Sequence, residues 1–132
     1  MSVTVVLDGG GLQAWAQRVP PRNVIVVMEV LRRAGAGSVL VPSIVLVETL
    51  TGTPRDARVN QIVKQVDVDE RLPLSHVRAA AALRQGSRAS AVDAVVVEAA
   101  LRTRAAFVIT SDPDDVTRLL QHGRGSSHVV AV

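Results

Sequence analysis

The chain has no cysteine, a single lysine (Lys64) and two aromatic side chains, Trp15 and Phe107. Without cysteine there are no disulfides and no thiolate metal sites. With so few aromatics, stacking of bases on aromatic platforms is disfavoured as a mode of nucleic-acid binding. No charged-then-apolar leader opens the sequence, and no apolar run approaches the ~20 residues of a membrane span. A cytoplasmic protein without a membrane partner is expected. There is no G-x-S-x-G elbow, and no Gly-Lys-Ser/Thr follows Gly9-Gly10-Gly11 to make a phosphate loop.

Forty-eight percent of the 132 residues are apolar, enough for a core in a single domain spanning residues 1–132. Fourteen arginines dominate the basic residues, and the formal charge is +3. A positive excess favours an anionic partner, nucleic acid or an acidic protein segment. Solvation of exposed faces is the competing role for any one arginine.

The apolar pattern alternates between strand and helix. Val3–Leu7, Ser38–Val41, Ala106–Thr110 and His128–Val132 read as strands, and Val66–Glu70, mixing apolar and acidic residues, as a half-exposed edge strand. Leu12–Gln17, Ser43–Thr51 (stopped by Gly52), a segment from Pro54 to Val66, Ser75–Gln85, Ser90–Arg104 and Pro113–His122 read as helices. Arg22–Ala34 has strand propensity in Val24–Met28 but a helical length and ending, and is assigned as a buried helix. The alternation implies an α/β fold, a central, mostly parallel sheet of about five strands flanked by helices in three layers.

Four carboxylates stand where apolar runs meet turns or helices: Asp8, Glu48, Asp93 and Asp112. Desolvating a lone carboxylate costs several kcal/mol, and several acids meeting at one point repel unless a cation joins them. Asp8 and Asp112 follow strands, and ligands of open parallel sheets bind beyond the carboxyl ends of strands. An acidic metal site is therefore expected. Each acid also has a structural role open to it. Asp112 before Pro113 can cap a helix, Asp93 with Ser90 has capping-box spacing, and Asp8 before glycines can serve a turn. Glu48, among Val45, Leu46, Val47 and Leu50, has no capping role to fill.

Other patterns carry less. The three glycines are expected to form a tight turn bringing the backbone close to the site. Glu29 would serve a dinucleotide reading only if Val24–Met28 were a strand. His76, His122 and His128 lack the spacing of a metal cluster and are expected at the surface. A phosphoryl-accepting receiver would want a lysine after a late strand, whereas Lys64 falls mid-chain.

VVLD at the N-terminus, VLVETL after the second strand, SAVDAVVVEAA on a late helix and VITSDPDDV near the end together resemble the PIN domain, and most closely VapC-type toxin ribonucleases. The resemblance spans nearly the whole chain. It implies a PIN-like fold and a metal-dependent endoribonuclease, the toxin of a type II toxin–antitoxin pair. It further implies Mg²⁺ or Mn²⁺ held by Asp8, Asp93, Asp112 and Glu48 as the catalytic acids, with Thr110 and Asp115 in support. RNA is the implied substrate, and a cognate antitoxin and a second copy of the chain the implied partners. Arg55, Arg58 and Arg88 are candidate contacts to the RNA backbone. One position departs from the pattern: where a polar side chain commonly follows two residues after the first acid, this chain has Gly10. That departure leaves open a catalytically weak or inactive PIN-like module that binds an antitoxin or another partner.

Overall fold

In the computed structural model, which describes residues 2–132, the apolar runs become five short strands that pair in parallel throughout. The strands are β1 (Val3–Leu7), β2 (Gly37–Pro42), β3 (Asp67–Asp69), β4 (Phe107–Thr110) and β5 (His128–Ala131), in the spatial order β3-β2-β1-β4-β5. Seven helices connect them: α1 (Gly9–Ala16), α2 (Arg22–Ala34), α3 (Ser43–Thr49), α4 (Ala57–Val63), α5 (Leu74–Leu83), α6 (Ala91–Thr103) and α7 (Pro113–His122). Right-handed crossovers put α1–α4 over one face and α5–α7 over the other. With both faces covered, Val5, Val6, Leu7, Val108 and Ile109 lose all contact with solvent, which is why these strands read as continuous apolar runs.

Chain direction across the sheet reverses between β1 and β4. The path from β1 leads outward to β2 and β3, then returns through α5 and α6 to β4 and on to β5. That junction is the switch point at which open α/β sheets form their clefts. No helix among the described residues is long and apolar enough to cross a membrane.

Several local expectations change. Arg22–Ala34 is a helix, as its length and its left-handed Gly35 cap require, but it is not buried all round. Val24 and Val27 enter the core with Met28 and Leu31 against it, a stripe at helical spacing, while Ile25, Val26 and Val30 stay exposed. The dinucleotide reading of Glu29 ends here, because its carboxylate pairs with Arg32 and Arg33 on the same helix. The segment after Pro54 divides into a 3-10 turn (Pro54–Asp56) and α4, with buried Asp56 accepting hydrogen bonds from the Thr51 and Gly52 amides. Lys64 is exposed at the end of α4.

Sequence reasoning missed the charged cluster behind the β3 edge. Glu98 of α6 is buried and accepts from Arg102 Nε at 3.1 Å, while Arg102 Nη2 donates to Asp69 at 2.8 Å. His76, expected at the surface, instead lies half-buried with Nδ1 3.9 Å from Glu98. His122 and His128 are exposed as anticipated. The signal for Glu98 was available: an acid four residues before an arginine, on an otherwise apolar face of the helix.

Gly9, Gly10 and Gly11 form the first turn of α1 rather than a tight turn. Their smallness still serves close approach, since a Cβ on Gly11 would meet the Ile109 carbonyl. Alanine would gain about 1 kcal/mol of helix propensity at this position. Overpacking against backbone that cannot yield costs more. Gly11→Ala is expected to lower stability by about 1–3 kcal/mol net in urea unfolding, and a stabilised variant would contradict this packing.

Candidate metal centre

The register of β1 on β4 pairs Leu7 with Ile109, so the next residues, Asp8 and Thr110, leave their strands side by side. The Asp8 amide donates to the Ile109 carbonyl at 3.3 Å, carrying the pairing one step beyond the strand. One carboxylate oxygen of Asp8 accepts from the Gly11 amide at 2.8 Å, capping α1. The other accepts from the buried Thr110 hydroxyl. Thr110 Oγ1 in turn accepts from the Asp112 amide at 2.8 Å. A single hydroxyl therefore orients the first acid and positions the backbone of the second.

Asp93 arrives from the opposite layer, in the first turn of α6. There the cap belongs to Ser90, whose Oγ accepts from the Asp93 amide at 3.0 Å, and the Asp93 carboxylate is not needed for it. Asp112 stands at the N-cap position of α7, yet its side chain makes no capping hydrogen bond. Of the structural roles open to these acids, capping holds for Asp8 alone, and only one of its oxygens is used so.

Oxygens of Asp8, Asp93 and Asp112 lie within 4.8 Å of one another. Asp8 is 3 % exposed and Asp93 6 %, while Asp112 faces solvent and gives the site its opening. The ion pairs of the described residues involve none of the three. Burial pushes the Asp8 carboxyl up, opposed by the bonds from Thr110 and Gly11, and the Asp112 charge adds to the rise. Burial, then the charge of Asp112, raises Asp93 to about 6, with smaller contributions from Asp8 and Asp115. An oxygen-only set with no cation of its own fits a hard divalent ion, since metal–oxygen distances of about 2.0–2.6 Å let one ion span such a gap.

The remaining candidates divide. Thr110 is central, and Asp115, half-buried on α7, is near enough to act on Asp93. Glu48 is not brought into the group: it is exposed on α3 and lies outside the set of three. Its apolar neighbours in sequence point to other sides of the helix, with Val45 buried and Val47 exposed. Arg55, Arg58 and Arg88 are all exposed. Gly10 leaves no void, because a Cβ there would fall on the Cβ and Oγ of Ser111. The serine after Thr110 fills the space that a side chain at position 10 would need, and sequence reasoning did not anticipate the exchange.

Two outcomes follow from this geometry. Between pH 3.8 and about 6 the folded chain keeps a proton on Asp93 that the unfolded chain has released. Stability without metal is therefore fullest below that window and falls as pH rises through it. After discounting for solvent screening, the loss at Asp93 is about 1–3 kcal/mol. Asp93→Asn should flatten the slope in urea titrations run in chelator, and an unchanged slope would contradict the clustering. Separately, Gly10→Ser is expected to lower the melting temperature, with Ser111→Gly in the same chain restoring it. Failure of that rescue would show that the two positions do not share space.

No family model and no curated protein matches this chain. Solved structures do. VapBC2 from Rickettsia felis bound to a DNA fragment from its promoter aligns with a TM-score of 0.66 at 15 % identity, over 88 % of this chain and 92 % of that one. FitAcB from Neisseria gonorrhoeae aligns with a TM-score of 0.59 at 12 % identity, over 96 % of each chain. PAE2754 from Pyrobaculum aerophilum aligns with a TM-score of 0.57 at 17 % identity, over 98 % and 92 %. At these identities the likeness speaks for the fold, and it extends over nearly the whole chain. The all-parallel sheet in the order β3-β2-β1-β4-β5 is thus a PIN-like fold, shared with these structures.

Proposed function

We propose that the chain is a metal-dependent endoribonuclease, the toxin of a type II toxin–antitoxin pair. One observation supports this above the others: three carboxylates from different elements converge, two of them buried and none paired with a cation. Asp8, Asp93 and Asp112 would hold Mg²⁺ or Mn²⁺ through oxygen. When bound, the ion supplies Lewis acidity toward the phosphodiester and toward water.

The chain's own groups set the conditions. The Gly11 amide and the Thr110 hydroxyl fix both oxygens of Asp8, so this ligand does not reorganise during the reaction. Asp93 on its helix turn, raised to about 6 by burial and then by the charge of Asp112, holds a proton closer to neutrality than a free carboxyl does. Asp112, open to solvent, stands where a phosphodiester would enter. Asp115 adds negative charge beside the group and strengthens its preference for a cation.

A second reading, a PIN-like module with weak or no turnover that acts by binding a partner, is favoured by Glu48, which is exposed and outside the set of three acids. Two exposed aliphatic surfaces support protein partners in either case. One is Ile25, Val26 and Val30 on α2; the other is Ile44, Leu72 and Val77 beside a largely apolar groove of about 350 Å³. In this reading the groove beside Val77 serves a second copy of the chain and the α2 surface an antitoxin.

Purified protein is expected to cut structured RNA in Mg²⁺ and to stop in chelator. Asp8→Ala and Asp93→Ala should each reduce the rate at least 100-fold, and Asp112→Ala should abolish Mn²⁺ binding in calorimetry. Equal cutting by wild type and both variants would refute the assignment. Mn²⁺ binding without cleavage would select the second reading. Sedimentation should give a dimer, with Val77→Arg shifting it toward monomer; a wild-type monomer at high concentration would oppose the assembly.

A further inference from the structure

We propose that the cleft between the α5–α6 loop and α7 binds a backbone phosphate of the RNA, adjoining the metal centre; this rests on the ribonuclease reading. The cleft measures about 320 Å³. Its donors are Ser87 and Arg88 from the loop and Arg118 and His122 from α7, over a floor of Leu83 and Leu119. No carboxylate lines it. A wall of hydrogen-bond donors without acidic side chains is selective for anions.

Continuity with the acids makes it more than a basic patch. Arg118 also lines the neighbouring hollow formed by Ser111, Asp112, Asp114 and Asp115. Arg88 lies two residues before Ser90, the cap of the helix that presents Asp93. Arg118, on the helix that follows Asp112, thus belongs to both hollows, and Arg88, in the loop that leads into the helix bearing Asp93, faces it across the cleft. Both guanidinium groups are free to bind a ligand. The arginines engaged in ion pairs among the described residues are Arg32, Arg33 and Arg102. Arg118 makes no such pair with Asp114, although Asp114 lies one turn before it on α7. An RNA strand crossing the acids meets repulsion there, and a neighbouring phosphate held by Arg88 and Arg118 offsets it.

The test measures anisotropy of a labelled single-stranded oligoribonucleotide with the full chain, in chelator, over a series of salt concentrations, alongside Mn²⁺ titration. Arg88→Gln/Arg118→Gln is expected to weaken RNA binding at least 10-fold. The slope of log K against log salt should become shallower by about 0.7 for each phosphate that is no longer neutralised. Mn²⁺ affinity should be unchanged, which shows that the fold and the acids are intact. Arg18→Gln/Arg22→Gln, an equal loss of charge after α1, should change binding less than threefold, and Arg118→Lys should keep most of it. Equal weakening by the two double variants, or wild-type binding by Arg88→Gln/Arg118→Gln, would overturn the subsite while leaving the nuclease reading in place. Displacement of RNA by polyglutamate at matched charge would likewise refute a phosphate site. Wild type that neither binds nor cuts RNA would refute the nuclease reading itself.

Discussion

The parallel pairing of β1 with β4 is the constraint from which the rest follows. It joins segments about a hundred residues apart and sets Asp8 beside Thr110 through the Leu7–Ile109 register. A slip of one residue would turn every side chain of β4 to the other face and remove the hydroxyl from the carboxylate. Gly11 adds to that constraint. It allows the first turn of α1 to sit on the Ile109 carbonyl, which a Cβ would meet. Backbone pairing, glycine contact and the Thr110 hydroxyl thus act on one point.

That point is electrostatically unfavourable by itself. Two buried acids and one exposed acid lie close together, and burial, with the charge of Asp112 beside it, pushes the carboxyls of Asp8 and Asp93 up. The fold tolerates this because the hydrogen bonds to Asp8 are made by groups already fixed by β4 and α1, so little ordering entropy is lost to make them. The far edge of the sheet handles charge differently. There, buried Glu98 has Arg102 as its counter-ion, and Arg102 reaches on to Asp69. One acidic group is neutralised from within the chain, the other only from outside it, and the contrast marks the second as a site for a ligand.

Much of this was legible in the residues. The order and kind of elements followed from apolar runs and Gly/Pro punctuation, and the β3 edge from its mixture of valine and aspartate. Asp8, Asp93 and Asp112 could be picked out because each breaks an apolar context. Glu48 met the same criterion and yet stands exposed, because a short helix turns its residues through all directions and apolar neighbours in sequence need not be neighbours in space. α2 misled in a similar way: its composition suggested burial, but its thirteen residues present two apolar faces and the sheet covers one.

Local periodicity and Gly/Pro punctuation settled which segments are strands and helices and singled out Asp8, Asp93 and Asp112, while helix ends such as the glycine start of α1 and the early stop of α3 fell elsewhere. Which acids meet, that Ser111 occupies the room above Gly10, that Arg102 links Glu98 to the edge strand, and that Arg118 stands between acids and cleft emerged from the packing of distant segments. Those outcomes depend on strand order and register, which are settled by long-range packing and leave no trace in the spacing of neighbouring residues.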